Sequence, residues 1–327
     1  MNYIDKLLNK ITMYKVVLYS LCILAFVAVV LGFTGVIAYT GVSLIVSFLI
    51  ILFTSYVTNI AFARLFNAPA NIESVYITAF ILFFLIDPLI TESGVIILIA
   101  ASAIATISKY LFAIRRKHIF NPAAIAAVIL SLTGAGAVIW WVATPILSII
   151  TLVLGLLIVR KIKRFPMFIT FVVVSIAALA YTYIIPNGMN FFSFGKDLIL
   201  SWPFVFFATI MLTEPLTTPP TKSTQIIYAA IVGLFFASRF NIGPLYSSPA
   251  LALVLGNVYA YMVSSKQKLM LKLMMKRQLS ATVYDFIFES DQHLRFLPGQ
   301  YLEWTLPHAS PDTRGNRRYF TVASSPT

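Results

Sequence analysis

A carboxylate stands inside an apolar part of this chain, where it is costly unless it has a partner or a function. It is Glu214, next to Thr213 in Met211-Leu-Thr-Glu-Pro-Leu-Thr-Thr-Pro-Pro220. Such a carboxylate could pair with Lys222, hydrogen-bond a hydroxyl of a ligand or coordinate a cation. The preceding apolar run, residues 198–212, reaches only about 22 Å of a bilayer core roughly 30 Å thick. We predict a helix that ends inside the membrane, where broken helices commonly point at a ligand.

Two more polar residues precede another predicted helix, in Lys117-His-Ile-Phe-Asn-Pro-Ala-Ala124. His118 is either part of a basic cluster that faces lipid headgroups or a ligand-binding residue. Asn121 is either a helix N-cap or a ligand-binding residue. Because the predicted topology puts both segments on one side, we expect these two residues to converge with Thr213 and Glu214 on a pocket.

Cysteine and histidine usage excludes several metal centres. Cys22 is the only cysteine, which excludes a disulfide framework and a self-contained Cys-ligated iron–sulfur or zinc site. His118 is the only histidine in the apolar region, so the paired histidines of membrane haem proteins are missing. We predict no metal site, and the sequence points to no catalytic residue.

The composition is that of a polytopic membrane protein. Hydrophobic residues make up 60% and charged residues 11% of the 327 positions, against about a quarter charged in soluble domains. The net charge of +13 comes from short basic clusters between apolar runs, which is the pattern of cytoplasmic loops and not of nucleic-acid binding. The first run begins near Tyr14 without a cleavage pattern, so we predict an uncleaved span.

Apolar runs predict ten spans after an amphipathic cytoplasmic segment at residues 1–13. They are 14–38, 42–62, 73–86, 94–113, 120–133, 138–159, 166–185, 198–212, 224–238 and 245–263. One set of loops holds eighteen Lys and Arg residues, and the other holds only Lys196 and Arg239. This bias predicts a multi-pass protein of the cell membrane with both termini in the cytoplasm.

Two motifs recur at one offset. Asp87-Pro88-Leu89 precedes Glu214-Pro215-Leu216 by 127 positions, and Asn121-Pro122-Ala123 precedes Ser248-Pro249-Ala250 by the same 127. We predict two homologous halves, residues 14–134 and 138–263. Five spans per half would invert the second half, a design common in transporters.

From about residue 264 the chain changes to strand patterns, such as Val283-Tyr-Asp-Phe-Ile-Phe-Glu289. Pro298-Gly-Gln-Tyr301 and Arg318-Tyr-Phe-Thr-Val-Ala-Ser-Ser325 resemble the FAD-binding barrel of the ferredoxin-NADP reductase family. The resemblance implies an antiparallel β-barrel that begins at residues 264–327, with a nicotinamide-binding domain expected beyond Thr327. The residues that it assigns to FAD are Arg318, Tyr319, Phe320, Thr321 and Ser324.

The membrane part resembles the NqrB/RnfD family of membrane flavin subunits. The resemblance rests on Glu73-Ser-Val-Tyr-Ile-Thr78, on the segment around Asn121 and on Met211-Leu-Thr-Glu-Pro215. It implies membrane-bound FMN, with riboflavin as a further candidate. Thr144, in Trp140-Trp-Val-Ala-Thr-Pro145, is the candidate for covalent FMN attachment, and the two Trp side chains are expected to form an interface or a ring-stacking wall.

Together the resemblances imply an oxidoreductase that passes electrons from NAD(P)H through FAD to membrane flavins. Membrane lipid, NAD(P)H and an acceptor outside the cytoplasm are the expected partners, and cation transport is an expected coupled process. The alternative is an inverted-repeat transporter or channel with a regulatory flavin domain.

Overall fold

The computed structural model describes residues 3–68, 72–114, 117–134, 138–264, 269–291, 293, 296, 301–305 and 317–322. Most of these residues are helical. The helices are α1 (Tyr3–Asn9), α2 (Met13–Phe33), α3 (Gly41–Leu65), α4 (Ile72–Leu85), α5 (Glu92–Leu111), α6 (Pro122–Leu132), α7 (Pro145–Ile162), α8 (Phe165–Leu179), α9 (Ile185–Asn187), α10 (Phe191–Leu200), α11 (Phe204–Phe206), α12 (Lys222–Ala237) and α13 (Pro249–Val263). Two π-helical segments, Ala180–Ile184 and Phe207–Met211, extend α8 and α11.

The strands are short and antiparallel. They are β1 (Ala113–Ile114), β2 (Lys117–His118), β3 (Asn241–Ile242), β4 (Leu245–Tyr246), β5 (Leu271–Gln278), β6 (Tyr284–Ser290), β7 (Tyr301–Thr305) and β8 (Arg317–Thr321). They pair in sequence order as four two-stranded sheets. A closed barrel is not formed by the strands that the structure describes, so the barrel stays a prediction.

Each of the ten predicted spans contains helix. Within the described residues, five helices are long and apolar enough to cross a membrane: α2, α3, α5, α7 and the segment Phe165–Asn187. A sixth crossing is added if α10 and the segment Phe204–Met211 form one bent span. Because α4, α6, α12 and α13 are shorter, the helical membrane class agrees with the prediction, and ten crossings stay a prediction.

The predicted uninterrupted helix at 198–212 is wrong. α10 ends at Leu200, and the axis bends by 64° before Phe204–Met211. Pro203 explains the break, because it has no backbone N–H and disfavours helical geometry at the residue before it. The N–H groups of Ser201 and Trp202 both donate to the carbonyl of Asp197.

The predicted start of the sixth span at residue 138 is also wrong, because α7 begins at Pro145. The preceding residues form a loop against the end of α4. The N–H groups of Ile139 and Trp140 each donate to the carbonyl of Leu85 at 3.0 Å. Such bonds satisfy carbonyls that a helix end leaves without partners.

The order of elements repeats along the chain. A hairpin of two-residue strands precedes α6 in the first half and α13 in the second. Thr91 and Thr221 cap α5 and α12, and each hydroxyl accepts from the N–H three residues ahead. α2 packs against α7, and α6 packs against α13. The two homologous halves stay a prediction.

The N-terminal segment is helical and docks on the end of α7. Arg160 forms an ion pair with Asp5 at 2.9 Å, and Lys161 Nζ donates to the carbonyl of Leu8 at 2.6 Å. Leu8 is buried. The predicted amphipathic entry segment therefore rests at least partly on protein.

Candidate functional site

Three of the four polar residues predicted to converge lie together. The Asn121 amide donates to Glu214 Oε2 at 2.8 Å, and the Thr217 hydroxyl donates to the same oxygen at 3.1 Å. His118 Nε2 lies 3.8 Å from Glu214 Oε1. We call His118, Asn121, Glu214 and Thr217 the inner cluster.

Local sequence signals place two members of the inner cluster. Asn121 has extended backbone geometry and caps α6, where its Oδ1 accepts from Ala124 N at 3.0 Å. Pro122 occupies the first helical position, where a missing N–H costs nothing. Glu214 follows the π-helical segment Phe207–Met211, and Pro215 prevents the helix from continuing.

Asn257 on α13 holds the inner cluster together, and the sequence analysis missed it. Its Oδ1 accepts from Asn121 N at 2.8 Å, and its Nδ2 donates to the Thr217 carbonyl at 3.1 Å. Its side chain is fully buried. The available signal was a single amide in an apolar helix, since a buried amide needs hydrogen-bond partners.

The hydroxyl of Thr213 does not hydrogen-bond to the inner cluster. Its hydroxyl donates to the carbonyls of Thr209 and Ile210 at 2.8 and 3.2 Å. Thr213 is buried, so this hydroxyl satisfies the end of the π-helical segment. The prediction that it lines the same pocket is therefore not supported by its hydrogen bonds.

A buried lysine supplies positive charge near Glu214. Lys109 interacts electrostatically with Glu214, and its Nζ donates to Ser74 at the carbonyl and the hydroxyl, at 3.0 and 3.2 Å. Within the described part of the chain, neither an ion pair nor a hydrogen bond joins Glu214 to Lys222. Of the three alternatives for Glu214, pairing with Lys222 is not found among the described residues, and Lys109 supplies a positive charge instead.

The imidazole of His118 is not hydrogen-bonded to the rest of the inner cluster. Its Nε2 is buried and has no hydrogen-bond partner among the described residues, although Glu214 Oε1 is 3.8 Å away. A buried nitrogen and a carboxylate at this separation can be bridged by a hydroxyl or a water. The residues therefore fit a hydroxyl-bearing ligand. A cluster of three His, Cys, Asp or Glu side chains suited to a metal is missing from the described residues.

Thr144 immediately precedes α7, whereas the predicted span placed it several residues inside. It is the N-cap of α7 and makes no side-chain cap bond. Its Oγ1 is buried without a hydrogen-bond partner in the described part of the chain. The hydroxyl is therefore not engaged in the fold, and attachment of a phosphate would require the side chain to turn outward.

The expectation for the two Trp side chains is wrong. Trp140 and Trp141 are each only 6% exposed, so they form neither an interface belt nor an open wall. The Trp141 ring lies 4.9 Å from that of Phe83 and 5.3 Å from that of Phe84. Both rings are taken up by packing of the 138–144 loop on α4 and its neighbours.

Asp87 is the counterpart of Glu214 in the predicted repeat, 127 positions earlier in the sequence. Burial, and then interaction with the Asp87 carboxylate, raise the pKa of Tyr39 to about 12. No sequence signal pointed to this interaction, because Tyr39 belongs to a loop 48 positions upstream.

The described parts of the two reductase-like motifs lie on β7 and β8, which pair with each other. Tyr301 pairs with Thr321, and Leu302 pairs with Phe320. The Trp304 ring contacts Phe288 at 4.7 Å and Phe320 at 6.1 Å. Arg318 and Tyr319 belong to β8, and Ser324 lies outside the described residues.

Comparisons with known proteins do not assign the chain to a family. Neither the models of protein families nor the curated proteins gave a match. The resemblances to NqrB/RnfD subunits and to ferredoxin-NADP reductases therefore rest on the motifs quoted above and stay predictions.

Proposed function

We propose that this protein is a membrane-bound flavoprotein oxidoreductase. It passes electrons from NAD(P)H through FAD, held by the C-terminal strands, to FMN or riboflavin in the membrane part. An acceptor outside the cytoplasm takes the electrons, and cation transport accompanies them. Ten spans in two inverted halves, with both termini in the cytoplasm, belong to the same proposal.

The pairing of β7 with β8 carries this proposal. The register aligns Tyr301 of the Pro-Gly-Gln-Tyr motif with Thr321 of the Arg-Tyr-Phe-Thr motif, although the motifs are separated in sequence. An Arg in such a motif can bind a pyrophosphate, an aromatic ring can cover a flavin, and a hydroxyl can hydrogen-bond the flavin edge. These roles belong in our proposal to Arg318, Phe320 and Thr321. Phe320 is half exposed, which leaves its ring open to such a contact.

The inner cluster supports the second half of the proposal. A flavin carries a ribityl chain of hydroxyl groups, and the cluster offers a carboxylate acceptor beside an imidazole nitrogen without a partner. A partly buried carboxylate that accepts hydrogen bonds from hydroxyls would orient such a ligand. In our proposal His118, Asn121 and Glu214 hold a membrane flavin, and Thr144 is the attachment residue for FMN.

A transporter or channel is the second candidate, and one observation favours it. The repeated element order includes helical segments that end at Leu85 and Met211, shortly before Asp87 and Glu214, as in transporters whose broken helices surround a substrate site. The transporter proposal does not explain why the reductase-like motifs on β7 and β8 are present.

Vesicles separate the two candidates. The purified protein is reconstituted with ferricyanide inside, and dithionite is added outside. The oxidoreductase proposal expects reduction of the enclosed ferricyanide that needs bound flavin. Solute flux without any ferricyanide reduction would favour the transporter instead.

A further inference from the structure

An open groove lies between α8 and α12, away from the inner cluster and from the C-terminal strands. Its volume is about 460 Å³. Its walls are apolar or small and include Val173, Val174, Ala177, Ala178, Leu234 and Ala237. We call it the α8–α12 groove.

The two helices pack against each other, with a close backbone approach at Gly233, and the groove lies beyond that approach. A Cβ atom on Gly233 would lie 3.2 Å from Ser175 N and 3.3 Å from Phe171 O, so the backbones are in contact there. Beyond this point the facing residues are alanines, and the π-helical segment Ala180–Ile184 takes over from α8. Short side chains on both helices leave the cleft unfilled.

The groove opens toward the lipid-facing side of the protein. Val173, Tyr181 and Leu234 on its rim are 60%, 76% and 54% exposed. They lie on Phe165–Asn187, which is long and apolar enough to cross a membrane, and on the apolar helix α12. Exposed apolar side chains on such helices contact acyl chains of the bilayer.

A cation directly follows the groove lining along the chain. Arg239 directly follows Ser238, which lines the groove, and its Cζ lies 3.5 Å from the centre of the Tyr183 ring. The described residues provide no carboxylate within ion-pair distance of Arg239. A guanidinium stacked on an aromatic ring keeps its N–H edge available for a phosphate.

The residues around Arg239 suit the membrane–water boundary. The Tyr183 ring lies 5.5 Å from that of Trp202 and 6.2 Å from that of Phe194. Tyr and Trp are enriched at the headgroup level of membranes. Arg239 and Lys196 are also the only two basic residues of the predicted outer loops.

We infer that the α8–α12 groove is a phospholipid site. One acyl chain lies along the alanine-lined cleft, and the phosphate of an anionic phospholipid binds Arg239. The same lipid molecule would then bury its acyl chain against apolar side chains and form a charge-assisted hydrogen bond through its phosphate. A non-specific lipid contact provides only the first of these interactions. This inference is independent of the flavin chemistry proposed above.

Native mass spectrometry of the delipidated full chain tests the inference, with phosphatidylglycerol as the probe. We expect one tightly bound lipid per chain. Arg239→Gln should weaken it about tenfold, which corresponds to about 1.4 kcal/mol. Lys196→Gln removes the other basic residue of the predicted outer loops and should leave the affinity for the lipid unchanged.

A second pair of variants tests the acyl-chain part. Ala177→Phe fills the groove from its exposed rim and should lower the affinity, whereas Val153→Phe enlarges an exposed side chain on α7 and should not. Equal weakening by Arg239→Gln and Lys196→Gln would overturn the inference, since it would show a general charge effect. Unchanged binding in Arg239→Gln and Ala177→Phe would also overturn it, as would displacement of the lipid by an equimolar quinone.

Discussion

The side-chain amide of Asn121 donates to the Glu214 carboxylate at 2.8 Å, although the two residues are 93 positions apart. Asn121 opens α6 in the first predicted half, and Glu214 follows a broken helix in the second. Their hydrogen bond therefore joins the two halves at the inner cluster. A bond to a charged acceptor in a buried site is stronger than one between neutral groups.

The Asn121–Glu214 bond should appear as a coupling energy. In a double-mutant cycle of Asn121→Ala and Glu214→Ala, we expect the two losses of stability to differ from additivity by about 1 to 2 kcal/mol. Unfolding of the detergent-solubilised protein provides the four free energies. Asn190→Ala is the matched control, because Asn190 caps the exposed start of α10 and should combine additively with Glu214→Ala. Additive losses for both pairs would contradict the described contact.

Close packing of α7 on the π-helical segment should make Gly155 intolerant of a side chain. A Cβ atom there would collide with the side chain of Thr209, so Gly155→Ala should cost about 1 to 3 kcal/mol through overpacking. Gly195→Ala is the control, because nothing lies within 4 Å of a Cβ atom at that helical position. It should be neutral or stabilising by up to about 1 kcal/mol. Thermal unfolding of both variants is the measurement, and equal shifts would be evidence against the packing.

Arg318→Ala should weaken FAD retention if the C-terminal strands bind FAD as proposed. The lost charge-assisted bond to the pyrophosphate corresponds to about 1.5 to 3 kcal/mol, or a tenfold or greater rise in the FAD dissociation constant. Arg317→Ala in the same strand is the control and should retain FAD. Equilibrium dialysis measures both, and unchanged retention in Arg318→Ala would remove this residue from the proposed site.

Thr144→Val should abolish covalent flavin, because valine keeps the shape of threonine but has no hydroxyl. Protein made together with a flavin-attaching enzyme should give a fluorescent band on a denaturing gel, and the variant should give none. Thr91→Val is the matched control, since Thr91 is also a helix N-cap on the same predicted side, and its band should persist. A band that survives in Thr144→Val would place the attachment on another residue.

The helices of this protein are largely readable from sequence, because apolar runs and caps are local signals. Asn121 and Ser248 were recognisable as helix starts by the proline that follows each of them, and each proves to be an N-cap. The loop at 138–144 was misread as helix because its residues are as apolar as those of a span. Its bonds go to the end of α4, a partner that hydropathy does not reveal.

The contacts of the candidate site were less predictable. Convergence of His118 and Asn121 with Glu214 followed from the predicted topology. The roles of Asn257 and Lys109 depend instead on how α13 and α5 pack, and a single polar residue in an apolar helix does not identify its partner. The engagement of the Thr213 hydroxyl within its own helix likewise depends on a π-helical turn.

The visible absorbance spectrum of the purified full chain is the most direct test of the proposed function. The account predicts the bands of oxidised flavin, bleached by dithionite, with FAD released by denaturation and FMN retained on the polypeptide. A spectrum without flavin bands, from folded protein expressed with ample riboflavin and a flavin-attaching enzyme, would contradict the proposal that this chain is a flavoprotein.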